Sequence, residues 1–281
     1  MKILPLASES LGVRSLATYV ETDSHKILID PSAALGPSRY GLPPAKEELI
    51  ALEESKKKIK EFARKADILI ITHYHYDHYD PDENFYNGKK VLAKDINSKI
   101  NKSQTERGTV FRDIIKDSCD LIYADNKKFN LDDIEIKFSE PFPHGPVGSR
   151  LGFVIMCSII DKNFKLLFAS DTQGPVSDEA TGYILNEKPD LLIIDGPPTY
   201  FLGYKFSERD FLKSKENLTR ISTELNSKII LDHHLLRDLK YKERFKELYE
   251  TNRVCSMAEY VGLENNLLEA HRKELWSKAK I

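Results

Sequence analysis

Five short apolar runs in this 281-residue chain each end in a residue that can bind a cation or move a proton. "HKILID" closes on Asp30, "DILIITH" on His73, "KLLFASD" on Asp171, "PDLLIID" on Asp195, and "KIILDHH" on Asp232, His233 and His234. Uninterrupted Ile/Leu runs of this length, bounded by Pro, Gly or charge, predict strands buried on both faces. Sheets covered by helices gather ligands beyond their strand ends. The five endings are therefore expected to converge on one rim.

The intervening sequence supplies the helices. Leu49, Leu52, Ile59, Phe62, Ala63 and Ala66 follow a 3.6-residue period behind Pro43 and Pro44, predicting a helix over 45–66. Ser207 opens another as its N-cap, with Asp210 where a capping-box glutamate would stand and Phe211, Leu218, Ile221 and Leu225 on one side. Two more are expected over 237–250 and 263–276, while 91–123 reads as mixed. "IEIKFSEPF" and "LGFVIMCSIIDKNFKLLFASD" read as an antiparallel meander turning at Asp161 to Asn163. With no repeat, low-complexity tract or Ser/Gly linker, the expectation is one α/β domain over 1–281.

The charge count, 42 basic against 44 acidic side chains, gives no uniform field to draw nucleic acid or acidic lipid. Cys119, Cys157 and Cys255 are odd in number and dispersed, and "MKILPLASES" turns polar too early for a secretory signal, so a reducing cytoplasm is expected. "LGFVIMCSII" is about half the length a bilayer span needs and suits a buried strand.

Behind the second run lies "IITHYHYDHYDP", which places His73, His75, Asp77 and His78 within six positions, in a chain with only 8 histidines. In extended backbone, positions i, i+2 and i+4 share a side. His73, His75 and Asp77 can thus face one cavity, and a turn would add His78. Neutral imidazole and carboxylate are the ligands that zinc and similar divalent ions accept. The hexapeptide alone holds too few ligands for two complete sites.

"HYHYDH" resembles the HxHxDH signature of the metallo-β-lactamase superfamily, and the chain as a whole resembles an uncharacterised, mainly archaeal branch of it. The resemblance implies a four-layered αβ/βα sandwich, two mixed β-sheets flanked by helices, with a dinuclear metal site at one edge. It also implies an order of further ligands, met here by His144 in "PFPHGP", Asp171 in "LLFASDTQGP", and His233 or His234 in "IILDHHLLRD". On this pattern His73, His75 and His144 hold one ion, Asp77, His78 and the last histidine the other, and Asp171 bridges. Asp30 in "ILIDPS" would brace the motif loop. Neighbouring strand residues point to opposite sides, so one of His233 and His234 is expected in the site. His233 is the favoured ligand and His234 a spare group. "DHH" also resembles a second phosphoesterase family, whose other acidic motifs are missing here.

Two such ions, most readily Zn²⁺ with Fe²⁺ or Mn²⁺ as alternatives, lower the pKa of a shared water to about 7 and deliver hydroxide. Counting two dications against Asp77, Asp171 and one hydroxide leaves roughly +1, which favours an anionic substrate. Asp77 or His234 would pass a proton to the leaving group. Phosphodiesters stand slightly ahead of carboxylic esters, lactones and thioesters, and a small or short anionic substrate is expected rather than a membrane or long nucleic acid. His75, where oxygen-reducing relatives carry glutamate, and Asp171, where β-lactamases carry cysteine, argue against those activities. The short span from Asp171 to His233 argues against the RNA-processing branch. Arg150, Tyr200 and Arg237 lie close in sequence to the metal ligands or on a Pro-stiffened rim loop, and are the candidate substrate contacts. The competing reading is a binding protein that keeps its metal as a structural staple.

Overall fold

The computed structural model describes residues 1–278. One mixed sheet contains, in spatial and chain order, β1 (Lys2–Pro5), β2 (Thr18–Glu21), β3 (Lys26–Ile29), β4 (Ile68–Ile71), β5 (Lys90–Ala93) and β6 (Asp120–Tyr123). Its first two pairings are antiparallel and the rest parallel. The second sheet uses β7 (Lys128–Leu131), β8 (Ile134–Phe138), β11 (Cys157–Asp161), β12 (Phe164–Phe168), β13 (Leu191–Ile194), β14 (Lys228–Leu231) and β15 (Val254–Cys255), in the order β15-β14-β13-β12-β11-β8-β7. A two-stranded ribbon, β9 (Phe142–Pro143) with β10 (Phe153–Val154), stands beside it.

The uninterrupted apolar runs have a direct cause. In β4, Ile68 and Ile70 enter the core between the sheets while Leu69 and Ile71 meet the outer helices. β13 repeats the division, with Leu191 and Ile193 inward and Leu192 and Ile194 outward. Both faces of each parallel strand are covered, so no polar alternation survives. The outer layers include α1 (Lys46–Lys65) and α2 (Lys102–Ile115) on the first sheet, and α3 (Asp178–Glu187) and α4 (Glu208–Glu224) on the second. This is the four-layered αβ/βα sandwich.

The helix over 45–66 buries Ile59 and Ala63, although Leu49, counted on its apolar face, is 54% exposed. Ser207 caps α4, accepting from the Asp210 N–H at 3.0 Å. The mixed stretch resolves into β5, α2 and β6, and the meander turns between Asp161 and Phe164. The helix expected over 237–250 is two short pieces, Tyr241–Arg244 and Lys246–Tyr249, because Phe245 (φ −118°, ψ 33°) leaves helical geometry. Of 263–276 only the end is helical, Arg272–Lys278. The stretch before it crosses the N-terminal segment, where the Asn266 N–H donates to the Ser10 carbonyl and Glu269 pairs with Arg14.

Candidate metal centre

β4 stops at Ile71, and the next seven residues fold over the sheet edge. Tyr74 anchors this loop from behind: its ring packs on Tyr79 and Phe111, and its hydroxyl donates to the Lys94 carbonyl at 2.6 Å. A Cβ at Gly108 would lie 2.8 Å from that ring, so glycine lets α2 approach. With Tyr74 committed to the helix side, His73 and His75 turn the other way, Nε2 of the first 3.1 Å from Nδ1 of the second. A turn, His78 N–H to the His75 carbonyl at 2.9 Å, brings His78 in beside them.

Asp171, beyond the end of β12, is the centre of the site. Its Oδ2 lies 3.2 Å from Nε2 of His78, 3.3 Å from His144, 3.4 Å from His233, 3.8 Å from His73 and 3.8 Å from His234. Asp77 Oδ2 sits 3.5 Å from His233 Nε2. Ligand atoms fall into four overlapping sets that could each hold an ion: His73, His75, His144 and Asp171; Asp30, His73 and His78; Asp77, His78 and His233; and Asp171, His233 and His234. Nε2 of His78, both ring nitrogens of His144 and Oδ1 of Asp171 are buried without a hydrogen-bond partner. Buried polar atoms are almost always paired, so the Nε2 atoms of His78 and His144, left without a donor or acceptor of their own beside Asp171, are what a cation site requires.

The tautomers agree. Asp30, beyond β3, accepts from the Thr72 N–H (2.8 Å), the Thr72 hydroxyl (2.7 Å) and His78 Nδ1 (2.8 Å). Because that hydroxyl spends its proton on Asp30, its oxygen accepts from His73 Nδ1 at 3.1 Å, leaving the His73 Nε2 lone pair to face the site. His78, its Nδ1 proton on Asp30, likewise aims Nε2 at Asp171. Burial opposes charge on His78, yet Asp171, Asp30 and Asp77 raise it well above the ordinary imidazole range. Burial works the other way on Asp171, where His78, His233 and His234 prevail and hold its carboxyl well below the usual range. Burial takes His73 well down and His75 down to about 3. The site is built for positive charge between neutral imidazoles and ionised carboxylates, which a divalent ion satisfies. Asp30 (φ 48°), Ser170 (φ 53°), Gln173 (φ 56°) and His233 (φ 51°) are all left-handed around it, a concentration of strain found at functional sites.

Strand alternation fails at the last histidines, for both enter. β14 has already ended at Leu231. Asp232 then fastens the turn, accepting from the N–H groups of His233 (2.7 Å), Ser10 (3.1 Å) and Met257 (2.8 Å). His233 is left-handed and His234 helical (φ −57°, ψ −38°), which swings both rings to one side. Their environments differ. Arg237 Nη2 stands 3.3 and 3.2 Å from the two nitrogens of His233, a near-equal approach that places it over the ring face, since Cε1 stands between them in the ring plane. Burial and this cation lower the pKa of His233 against the pull of Asp171. His234 instead donates Nδ1–H to Asp195 at 2.7 Å and turns Nε2 into a cavity of about 750 Å³.

Arg150, Tyr200 and Arg237 all line that cavity, with His75, Asp77, His144 and Asp171 at its floor. Arg237 donates to Glu9 at 2.9 Å and to the Tyr200 hydroxyl at 3.2 Å. Sequence reasoning placed Asp195 at a strand end without a task; it carries His234 and accepts the Gln173 N–H on both oxygens at 2.9 Å. The rim loop expected over 195–205 does bring Lys205 to the cavity wall, but nothing in the sequence pointed to Arg14 there or to the buried partners Glu9 and Glu269. No local pattern marks Arg14, Glu9 or Glu269, because their partners are more than two hundred residues away.

The metallo-beta-lactamase superfamily profile matches residues 11–79. A UPF0282 protein of Methanocaldococcus jannaschii is 44% identical over 98% of this chain and 96% of its own length. The chain belongs to the UPF0282 family, with a metallo-beta-lactamase superfamily match over residues 11–79. Among solved structures, this UPF0282 chain is similar to an isothiocyanate hydrolase from Delia radicum gut bacteria (TM-score 0.58, 17% identity, 91% of this chain and 96% of that one). Zn²⁺-bound PqqB of Methylobacterium extorquens superimposes with TM-score 0.52 at 10% identity, covering 91% and 98%. At such identities these two share the fold. Among the described residues no helix is long and apolar enough to cross a membrane.

Proposed function

We propose that this UPF0282 protein is a metal-dependent hydrolase of small anionic substrates, phosphodiesters ahead of carboxylic esters, lactones and thioesters. The observation that carries the reading is the ring of five imidazole Nε2 atoms around Asp171 Oδ2, at 3.2 to 3.8 Å. His73, His75 and His144 would hold one divalent ion, Asp77, His78 and His233 a second, with Asp171 shared; zinc suits the donors best, and iron or manganese also fit. Bound there, the pair supplies a water acidic enough to react at neutral pH and polarises the bond under attack.

The chain's own groups do the rest. Asp77 is held low by His78 and His233 despite burial, which suits an ionised ligand better than a proton donor. His234 has the reverse character. With Nδ1–H fixed on Asp195 and its basicity lowered well by burial, it presents an unprotonated Nε2 to the cavity. There it takes a proton from water and returns it to the leaving oxygen. Arg237 and Tyr200, each orienting the other, bind the substrate's anionic group.

The test is elemental analysis together with assays on bis(p-nitrophenyl) phosphate, a lactone panel and a thioester, in added Zn²⁺, Mn²⁺ or Fe²⁺. About two ions per chain and turnover of at least one class are expected. Metal without turnover in any condition would instead favour a non-catalytic, metal-stabilised binding protein.

A further inference from the structure

Four cationic side chains line the cavity, and they fall into two pairs. Arg237 is buried and Arg14 partly so, and each is matched by a buried carboxylate: Arg14 grips Glu269 with two hydrogen bonds of 2.6 Å, and Arg237 holds Glu9 at 2.9 Å. Arg150 and Lys205 are exposed at the rim, and neither forms an ion pair among the described residues. Their backbones are nevertheless fixed. The Arg150 carbonyl accepts from Asn101 Nδ2 and that of Leu151 from Gln104 Nε2, both at 2.7 Å, which pins this loop to α2. On the other loop the N–H groups of Lys205 and Phe206 both donate to the Phe201 carbonyl, at 3.0 and 3.1 Å. The Lys205 ammonium lies 5.3 Å over the rings of both Phe201 and Tyr204. The same cavity is lined by the apolar faces of Leu151, Pro198, Tyr200, Phe201 and Phe206.

One cavity thus holds the metal-site residues, two exposed cations and an aromatic lining, and a volume of about 750 Å³ suits a small molecule rather than a polymer. We infer that the natural substrate is a bis-anion: an aromatic or heteroaromatic compound with its scissile phosphoester or ester at the metal centre and a second carboxylate or phosphate held between Arg150 and Lys205. The inference rests on the proposed metal-centred hydrolase and names its substrate class. An unpaired guanidinium binds a distal carboxylate or phosphate through two donors, and the ammonium adds a point charge.

The test is isothermal titration of the zinc-loaded protein, at low ionic strength, with three non-hydrolysable probes: phenylphosphonate, (4-carboxyphenyl)phosphonate and its neutral isostere (4-carbamoylphenyl)phosphonate. A longer 4-(carboxymethyl)phenyl analogue covers the reach of the two side chains. At least one carboxylate probe should bind about tenfold more tightly than the carboxamide. The double variant Arg150→Ala/Lys205→Ala should reduce that ratio to below about threefold, with phenylphosphonate affinity and the denaturation midpoint unchanged. Equal binding of carboxylate and carboxamide, a preference that persists in the double variant, or no binding of any probe would overturn the inference. Assays of the same sample on bis(p-nitrophenyl) phosphate separate the two ideas. A carboxylate preference without turnover of this diester, the lactone panel or the thioester would sink the hydrolase reading and leave a bis-anion binding site, and turnover without the preference would sink only the bis-anion.

Discussion

Asp30 and Asp195 stand at equivalent places in the two sheets and are wired alike. Each follows a parallel strand, accepts a backbone N–H from the loop after the neighbouring strand, Thr72 in one sheet and Gln173 in the other, and accepts Nδ1–H from a histidine of the site. Their histidines end in opposite states. Burial disfavours charge on both rings, but around His78 the carboxylates Asp171, Asp30 and Asp77 make positive charge favourable, as a cation on its neutral Nε2 would supply, whereas at His234 burial prevails and His233 and Arg237 add to it. One brace therefore serves two purposes, and the surrounding charge decides which: a ligand held at the rear, or a proton acceptor held at the front.

The largest effect should come from Asp77→Ala, on the Asp30 side, which removes a ligand while leaving both braces in place. Turnover should fall by about a thousandfold or more, with the circular dichroism spectrum unchanged. Full activity in that variant would remove the proposed mechanism. Asp30→Ala should be the more damaging of the two brace variants. It strands the Thr72 N–H, the Thr72 hydroxyl and His78 Nδ1 in a dry interior, at a cost of about 3–5 kcal/mol read from chemical denaturation, and metal stoichiometry should drop from two. Asp195→Ala should cost about 2–3 kcal/mol, retain two ions and lower the rate about a hundredfold. If the two brace variants lose metal equally, His234 is a ligand and the contrast between the two sides fails.

The smallest effect concerns the charge network behind His233. Glu9 is pushed up to about 7 by burial and by Glu269 against the pull of Arg237, while Glu269 is drawn down to about 2, its own burial outweighed by Arg14 and Arg237. A raised carboxyl binds its proton more tightly folded than unfolded, so its contribution is complete below the ordinary value of 4.5 and is lost as pH rises from 4.5 to about 7. Glu269 has the opposite sign, lost as pH falls from 4.5 to about 2. Metal-free protein in chelator should therefore be most stable near pH 4.5 from this pair and lose about 3 kcal/mol towards pH 7. Glu9→Gln should flatten the alkaline side only; an unchanged profile would show that the network titrates elsewhere.

Much of this was readable in advance because the relevant signals are local. Runs such as "DILIITH" and "PDLLIID" show period-less apolarity because their strands are covered on both faces, and the residues ending them do converge. The 237–250 and 263–276 stretches misled because an apolar stripe records burial without recording continuity. Their breaks at Phe245 and before Arg272 answer to contacts with distant segments. Alternation failed at His233 and His234 for the same kind of reason. The rule holds only while the chain remains a strand, and Asp232, tied to Ser10 and Met257, ends it first.

The sequence by itself determined the parts: which runs become buried strands, which residues stand at their ends, and that the donors there are imidazoles and carboxylates. Those properties follow from side-chain chemistry and short-range periodicity. Only the tertiary structure decided that His233 and His234 face the same way, that Asp195 carries the second of them, that Arg14 and Arg237 are matched by Glu269 and Glu9, and that Arg150 and Lys205 line one cavity with no ion-pair partner among the described residues. Each of these depends on which charge lies a few ångströms away, and the neighbours come from parts of the chain that become adjacent only once the two sheets have packed.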